Sequence, residues 1–404
     1  MKLDNIIAVL DIGSTKVCCC IAHVFNNGSY KIIGAGYCAC FGVKSGIIVD
    51  IESAKKSITV AVESAEKMAN VRIKSVYVNI SGKNVETSII NVSLNIGGRI
   101  IKNGDIVHLL SYSGEKNGEK EVIHSIPVLY SVDSLNGIKN PIGMIADKLN
   151  VHLNLVTAPK AQLNNLQICL AHCHLDTAGI VASIYAAGLY LIDKNEAMSN
   201  QIVIDLGGET TSIGFFYNGI FSGMKTIPFG GENITRDIAY GLSTSIANAE
   251  RLKTLHGAAF VSITDKSDTI FVPVNEHDDL INLQQISKSN LNQIIQPRIR
   301  EILTIVKNSI GNSNFTNSFS DEIIITGGGS ALSGIKDFSG EILNKKIKIK
   351  DNFEDAAGMP IGNNFTVALG MIKFAHLSDK KYSVKNKEKR SFIKKTLEWI
   401  ENNL

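Results

Sequence analysis

Two aspartates mark the chemistry this sequence can do. Asp11 and Asp205 each end an apolar run and each precede a glycine two residues on, in "VLDIGSTKV" and "VIDLGGETTS". An apolar strand delivers a carboxylate rigidly to its end, and the small residues that follow let backbone N–H groups approach a phosphate. Two such loops facing one another would cradle a polyphosphate, with Gly13, Ser14 and Thr15 on one side and Gly207, Gly208, Thr210 and Thr211 on the other. Asp11 and Asp205 would then reach its magnesium ion, mainly through water, while Lys16 opposes phosphate charge. One D-x-G is weak evidence, because the pattern occurs in many tight turns. Its duplication at matching positions makes the phosphate reading the better one.

A third glycine cluster follows a strand in "EIIITGGGSALSGIKDFSGEIL", where Gly327, Gly328 and Gly329 suit either close passage of backbone beside a base or ribose or a plain tight turn. It is neither the dinucleotide fingerprint nor a Walker loop. Gly230 and Gly231 open an amphipathic helical pattern carrying Ile234, Ile238 and Leu242. Further on, Glu250 and Lys253 share a helix face, either as a solvated ion pair or as the polar wall of a ribose site.

The elements that position these residues repeat. Ile6 to Gly36 and Ile202 to Gly230 both run strand, glycine turn, strand, Asn-Gly, strand, so two domains built on one plan are expected. Asn-Gly suits a two-residue hairpin whose central positions need positive φ. The 404 residues exceed what a single core usually serves. The stretch from Lys83 to Ala158 holds short alternating runs and reads as an inserted strand-rich module with one helix. "GIVASIYAAGLYLI" reads as a helix buried against a sheet, and Pro297 is expected to bend or divide the four-residue repeat Leu291, Ile295, Ile299, Leu303.

Charge is uneven. The net charge is +3, but Lys380 to Lys395 holds eight Lys or Arg against Glu388 alone, a net +7, so the remainder is slightly acidic and no nucleic-acid-binding body is expected. There is no run of about 20 apolar residues to span a membrane, and an aspartate interrupts the first apolar stretch, which argues against a signal peptide. The adjacent Cys18, Cys19 and Cys20 point to alternate faces of a strand, which speaks for a reducing cytoplasm over a disulfide framework. Cys169, His172, Cys173 and His174 have no second cluster to complete a tetrahedral metal site. In the closing "RSFIKKTLEWIENNL", Ile393, Leu397, Ile400 and Leu404 form one stripe, widened by Phe392 and Trp399. Lys394, Lys395, Glu398, Glu401 and Asn402 lie opposite, so the segment is either an interfacial membrane helix or a helix docked on the body. Trp399, the basic window and the polar linker favour the membrane and anionic lipids.

The strings "LDIGSTKV", "NISG", "GIKNPIGM", "VIDLGGETTS", "IPFGGENITRDIAYGLSTSIANAERLK", "IIQPRIREI" and "IITGGGSALSGI" resemble the actin, Hsp70 and sugar-kinase superfamily and, within it, the FtsA family of bacterial cell division proteins. The resemblance implies an α/β, actin-like (ribonuclease H-like) duplicated two-domain fold. The first core would comprise residues 1–82 with 159–198 and the inserted interaction module 83–158. The second core would comprise 199–228 with 313–378 and a small subdomain 229–312, followed by a basic linker 379–389 and a membrane helix 390–404. It also implies ATP and Mg2+ as cofactors, with at most slow hydrolysis. The implied role is to tether FtsZ filaments, through the FtsZ C-terminal peptide, to the cytoplasmic face of the inner membrane at the septum, with self-association into filaments and recruitment of later divisome proteins. A small-molecule kinase of the same superfamily is the alternative. Glu209 and Ser212 depart from the family's second phosphate loop, and Glu209 should weaken ATP binding unless its side chain turns outward or touches magnesium. The stretch around Pro360 is also more compact than usual.

Overall fold

A computed structural model describes residues 6–25, 27–111, 118–193, 199–262, 264–274, 282–313, 322–350, 353–354, 360–362 and 365–379. The expected basic window 380–395 and amphipathic tail 390–404 lie outside the described residues.

Strands Ile6–Ile12, Lys16–Val24 and Tyr30–Ala39 form an antiparallel meander, and Ile6–Ile12 runs parallel to Ser75–Ile80, which in turn pairs with Asp176–Ala182. The second lobe repeats this. Gln201–Leu206, Thr211–Tyr217 and Ile220–Ile227 form the meander, with Glu322–Thr326 added in parallel beside Gln201–Leu206 and Lys346–Ile349 in parallel beside Glu322–Thr326. Parallel neighbours need crossover connections, and helix Ile51–Ala69 supplies one. Asp50 caps that helix by accepting from the N–H groups of Glu52 and Ser53 at 3.1 and 3.2 Å.

The inserted module is a four-stranded antiparallel sheet ordered Glu86–Ile100, Ile145–Pro159, Lys120–Val132, Leu135–Ile138, with helix Asn103–Leu110. The molecule is thus a mixed α/β fold with two sheet-rich lobes and a strand-rich insert. Helices Gly231–Gly241, Ile246–His256 and Lys288–Gly311 and hairpin Thr269–Val274/Asn282–Ser287 form a smaller unit on the second lobe. Within it, Arg298 grips Asp237 through Nε at 2.6 Å and Nη2 at 3.0 Å.

Two helices tie the lobes together. Ser183–Leu191 packs against the second lobe's sheet, and Thr366–Asp379, grouped by the sequence reading with the second core, packs against strands Ile6–Ile12, Lys16–Val24 and Ser75–Ile80 of the first. Tyr77 and Phe374 meet edge to face there, with ring centroids 6.3 Å apart.

Three local expectations need correction. "GIVASIYAAGLYLI" is not one helix: its first four residues complete strand Asp176–Ala182, and the helix begins at Ser183. A short apolar run does not reveal its period, and β-branched Ile180 and Val181 fit the parallel pairing with Val78 and Asn79. Asn218 and Gly219 form the expected tight hairpin with φ of 47° and 76°, whereas of Asn27 and Gly28 only the glycine has positive φ. Of the two outcomes expected at Pro297, division is excluded, since the helix runs unbroken over Lys288–Gly311. Leu291, Ile295, Ile299 and Ile302 are buried on both sides of the proline, and this packing outweighs the lost hydrogen bond. Because interior proline costs about 3 kcal/mol relative to alanine, Pro297→Ala should stabilise by about 1–2 kcal/mol, read as a higher denaturation midpoint. An unchanged or lower midpoint would contradict this.

Candidate functional site

The lobes enclose a cavity of about 1010 Å³. Every cleft residue singled out in the sequence lines it: Asp11, Gly13, Ser14, Thr15 and Lys16 from the first lobe, and Asp205, Gly207, Gly208, Thr210, Thr211, Gly230, Gly231, Glu250, Lys253, Gly327, Gly328 and Gly329 from the second.

The two glycine loops are built alike. Asp11 pairs in register with Cys18 and Asp205 with Ser212, and each loop closes by the same bond, Gly13 N–H to the Lys16 carbonyl at 2.9 Å and Gly207 N–H to the Thr210 carbonyl at 3.0 Å. The loops also touch one another: a Cβ on Gly208 would lie 2.4 Å from the Thr15 methyl carbon.

Asp11 is buried, and its Oδ1 accepts from Asn79 Nδ2 at 2.7 Å. Asn79 is itself fixed, its Oδ1 accepting from the Ile12 N–H at 2.7 Å and its amide reaching Ser183 Oγ at 3.0 Å. Burial pushes the Asp11 carboxyl up to about 6, against the pull of Lys16. Burial likewise pushes Asp205 up to about 6, and the neighbouring charge of Asp11 adds to the rise. Two repelling carboxylates facing one cavity, beside small-residue loops, are a donor set suited to a hydrated divalent cation and its phosphates. The Lys16 ammonium lies 5.2 Å from the Phe365 ring centroid at the cleft.

Glu250 and Lys253 are more than a solvated pair. Lys253 Nζ donates to Glu250 Oε2 at 2.6 Å, to Thr235 Oγ1 at 2.8 Å and to the Gly231 carbonyl at 3.1 Å, while Thr235 donates to Glu250 at 2.6 Å. Burial acts to raise the Glu250 carboxyl, but the hydrogen bonds from Lys253 and Thr235 hold it below its ordinary value. Gly231 N–H and Glu232 N–H donate to the carbonyls of Gly207 and Gly208 at 2.9 and 2.7 Å, so this helix start is fastened to the second glycine loop. Thr211 is wholly buried and donates to the Phe229 carbonyl at 2.8 Å, which gives it an anchoring role.

The glycine cluster has a reason the sequence reading did not give. Gly327 has φ of 87°, and a Cβ there would sit 2.2 Å from Asp205 Oδ1 and 2.6 Å from the Leu206 carbonyl. At this position the crowding neighbour is the adjacent strand. Asn79, Ser183 and Thr235 are not among the site residues expected from the sequence, although Asn79 falls in "NISG" and Thr235 in "IPFGGENITRDIAYGLSTSIANAERLK". Glu209 turns its carboxylate onto protein partners, accepting from Ser45 N–H at 2.5 Å and from Arg236 Nη2 at 3.2 Å.

A duplicated sheet plan clasping a cleft, with an acidic strand end from each copy, defines a protein of the actin, Hsp70 and sugar-kinase class. Solved structures of that fold agree. The chain superposes on a chain of the PilM-PilN type IV pilus biogenesis complex with a TM-score of 0.65 at 15% identity, covering 91% of this chain and 97% of that one. It superposes on MreB5 of Spiroplasma citri bound to ADP with a TM-score of 0.57 at 14% identity, covering 93% and 98%. Residues 202–370 match the family described as Cell division protein FtsA, and residues 82–157 match the SHS2 domain inserted in FtsA. The chain is 33% identical over 393 residues to Cell division protein FtsA of Agrobacterium fabrum, covering 94% of this chain and 88% of that relative. It belongs to the FtsA family of cell division proteins.

Proposed function

We propose that this protein binds magnesium-ATP between its lobes and tethers FtsZ filaments to the cytoplasmic face of the bacterial inner membrane. The observation that carries the nucleotide reading is the Asp11 and Asp205 pair beside matched glycine loops in one cavity. Magnesium, when bound, would neutralise the two carboxylates and the polyphosphate together. Gly13, Ser14, Thr15, Gly207, Gly208 and Thr210 would hold phosphates, Asn79 would orient Asp11, and the Thr235, Glu250 and Lys253 network would face the ribose. No residue stands out from the sequence as a dedicated activator of water beyond the two aspartates assigned to the ion, so turnover is proposed to be slow, with assembly as the output. The relative MreB5 is a solved structure bound to ADP, which supports a nucleotide in this fold.

Residues 229–312 bind the FtsZ C-terminal peptide, residues 83–158 serve self-association and later divisome proteins, and residues 390–404 insert Phe392, Ile393, Leu397, Trp399, Ile400 and Leu404 into the anionic leaflet beside Lys394 and Lys395. Among the described residues no helix is long and apolar enough to cross a membrane. A single short helix binds weakly, so filament formation supplies avidity. Labelled FtsZ filaments should attach to anionic vesicles only with the full-length chain. Deleting residues 390–404, or combining Leu397→Glu with Trp399→Glu, should abolish attachment and leave ATP and FtsZ-peptide binding intact. Normal vesicle binding by the deletion would refute the anchor. Fast phosphate release on adding a small acceptor would favour the kinase alternative.

A further inference from the structure

We infer that Glu209 is a positioning residue that latches the two lobes across the cleft and sets the rate at which nucleotide leaves; the second half of this rests on the nucleotide reading above. Glu209 sits in the second lobe's phosphate loop, its side chain only 16% exposed, and is held on its own lobe by Arg236 of helix Gly231–Gly241 at 3.2 Å. Its other oxygen crosses to the first lobe and accepts the Ser45 N–H at 2.5 Å.

Ser45 is not on a loose loop. It forms the tip of the short hairpin Val43–Lys44/Ile47–Ile48, with φ of 49° at Ser45 and 78° at Gly46. That tip is fastened to the first lobe from both sides: Gly46 N–H donates to Ser14 Oγ at 3.1 Å, and Gln162 Nε2 donates to the carbonyls of Gly46 at 3.1 Å and Ser81 at 2.9 Å. Ser14 belongs to the first phosphate loop, so the chain of contacts runs from Arg236 through Glu209 and the hairpin to that loop. Thr15 packs on Gly208 next to it. The lobes therefore cannot part here without breaking a charge-assisted hydrogen bond at a half-buried place. Glu209 lines the cleft, but both of its carboxylate oxygens are taken up by Ser45 and Arg236. Its place is that of a bridge between the lobes.

The test uses full-length protein, Glu209→Gly, and Glu209→Gln as a variant that keeps an acceptor of the same length. Amide exchange across residues 43–48 is followed by mass spectrometry, and release of a fluorescent ATP analogue in magnesium buffer is followed by chase with unlabelled ATP. Glu209→Gly should speed both exchange at the hairpin and release by about tenfold, the loss expected for one such bond, with Glu209→Gln falling between it and the wild type. Unchanged hairpin exchange overturns the latch, and faster exchange with an unchanged release rate overturns its control of the ligand. Failure of the wild type to bind the analogue would instead count against the nucleotide reading, and exchange at the hairpin would then decide the latch by itself.

Discussion

Replacing Asp205 with asparagine should weaken magnesium-dependent ATP binding by on the order of 100-fold and at the same time make the nucleotide-free protein more stable at pH 7.5. The two effects share one cause. Asp11 and Asp205 are pushed up to about 6, in both cases chiefly by burial, and in Asp205 also by the charge of Asp11. The folded state therefore holds their protons more tightly than the unfolded chain does. Between about pH 4 and pH 6 the native protein binds more protons, so stability falls as pH rises through that window, and above it the full cost of two ionised, confined carboxylates is present. A shift of about two units corresponds to roughly 2–3 kcal/mol, so the asparagine variant should recover on the order of 1–3 kcal/mol at pH 7.5. It should also flatten the wild-type fall between pH 4 and pH 6. Affinity should move the other way, by on the order of 100-fold, since a charged acceptor at the ion is lost. Wild-type affinity should likewise weaken below about pH 6, as protons compete for the same oxygens. Thermal melts with and without magnesium, paired with calorimetric titration, measure both arms. A variant that binds ATP normally, or melts lower without magnesium, would refute the assignment.

Gly370→Val should leave little folded protein. Helices Ser183–Leu191 and Thr366–Asp379 approach so closely that a Cβ on Gly370 would lie 1.8 Å from the Ala186 carbonyl oxygen and 2.3 Å from its carbon. Backbone on both sides leaves no flexible side chain to yield. Overpacking ordinarily costs about 1–3 kcal/mol, and a clash with backbone at the crossing that joins both lobes should exceed it, at roughly 4 kcal/mol or more. Gly370→Ala should be milder but still clearly destabilising. Denaturant midpoints decide it, and a valine variant with a wild-type midpoint would show that the helices can separate freely.

These two expectations differ in how they can be read. Asp11 and Asp205 were legible because strand, carboxylate and glycine turn are neighbours in sequence, and the second copy set them apart from a common turn; both line the one cavity. Asn79, which holds Asp11 from 68 residues away, and Ser183, 104 residues from Asn79, carried no local signal of that task. Glu250 and Lys253 were legible as an i,i+3 pair, whereas Thr235, which joins them, comes from the preceding helix. For Gly327 the residue type suggested a ligand, and folding reveals a strand in the way.

By itself, the sequence determined the duplicated plan, the inserted strand-rich module, the matched acidic loops and the family, because each rests on residues close together in the chain or on long motifs in order. Only the tertiary structure decided where the last core helix packs, that Pro297 lies within an unbroken helix, and that the extra charge at Glu209 reaches across to Ser45. Those outcomes depend on the packing and desolvation of groups brought together from distant parts of the chain, and no local spacing encodes which of them will meet.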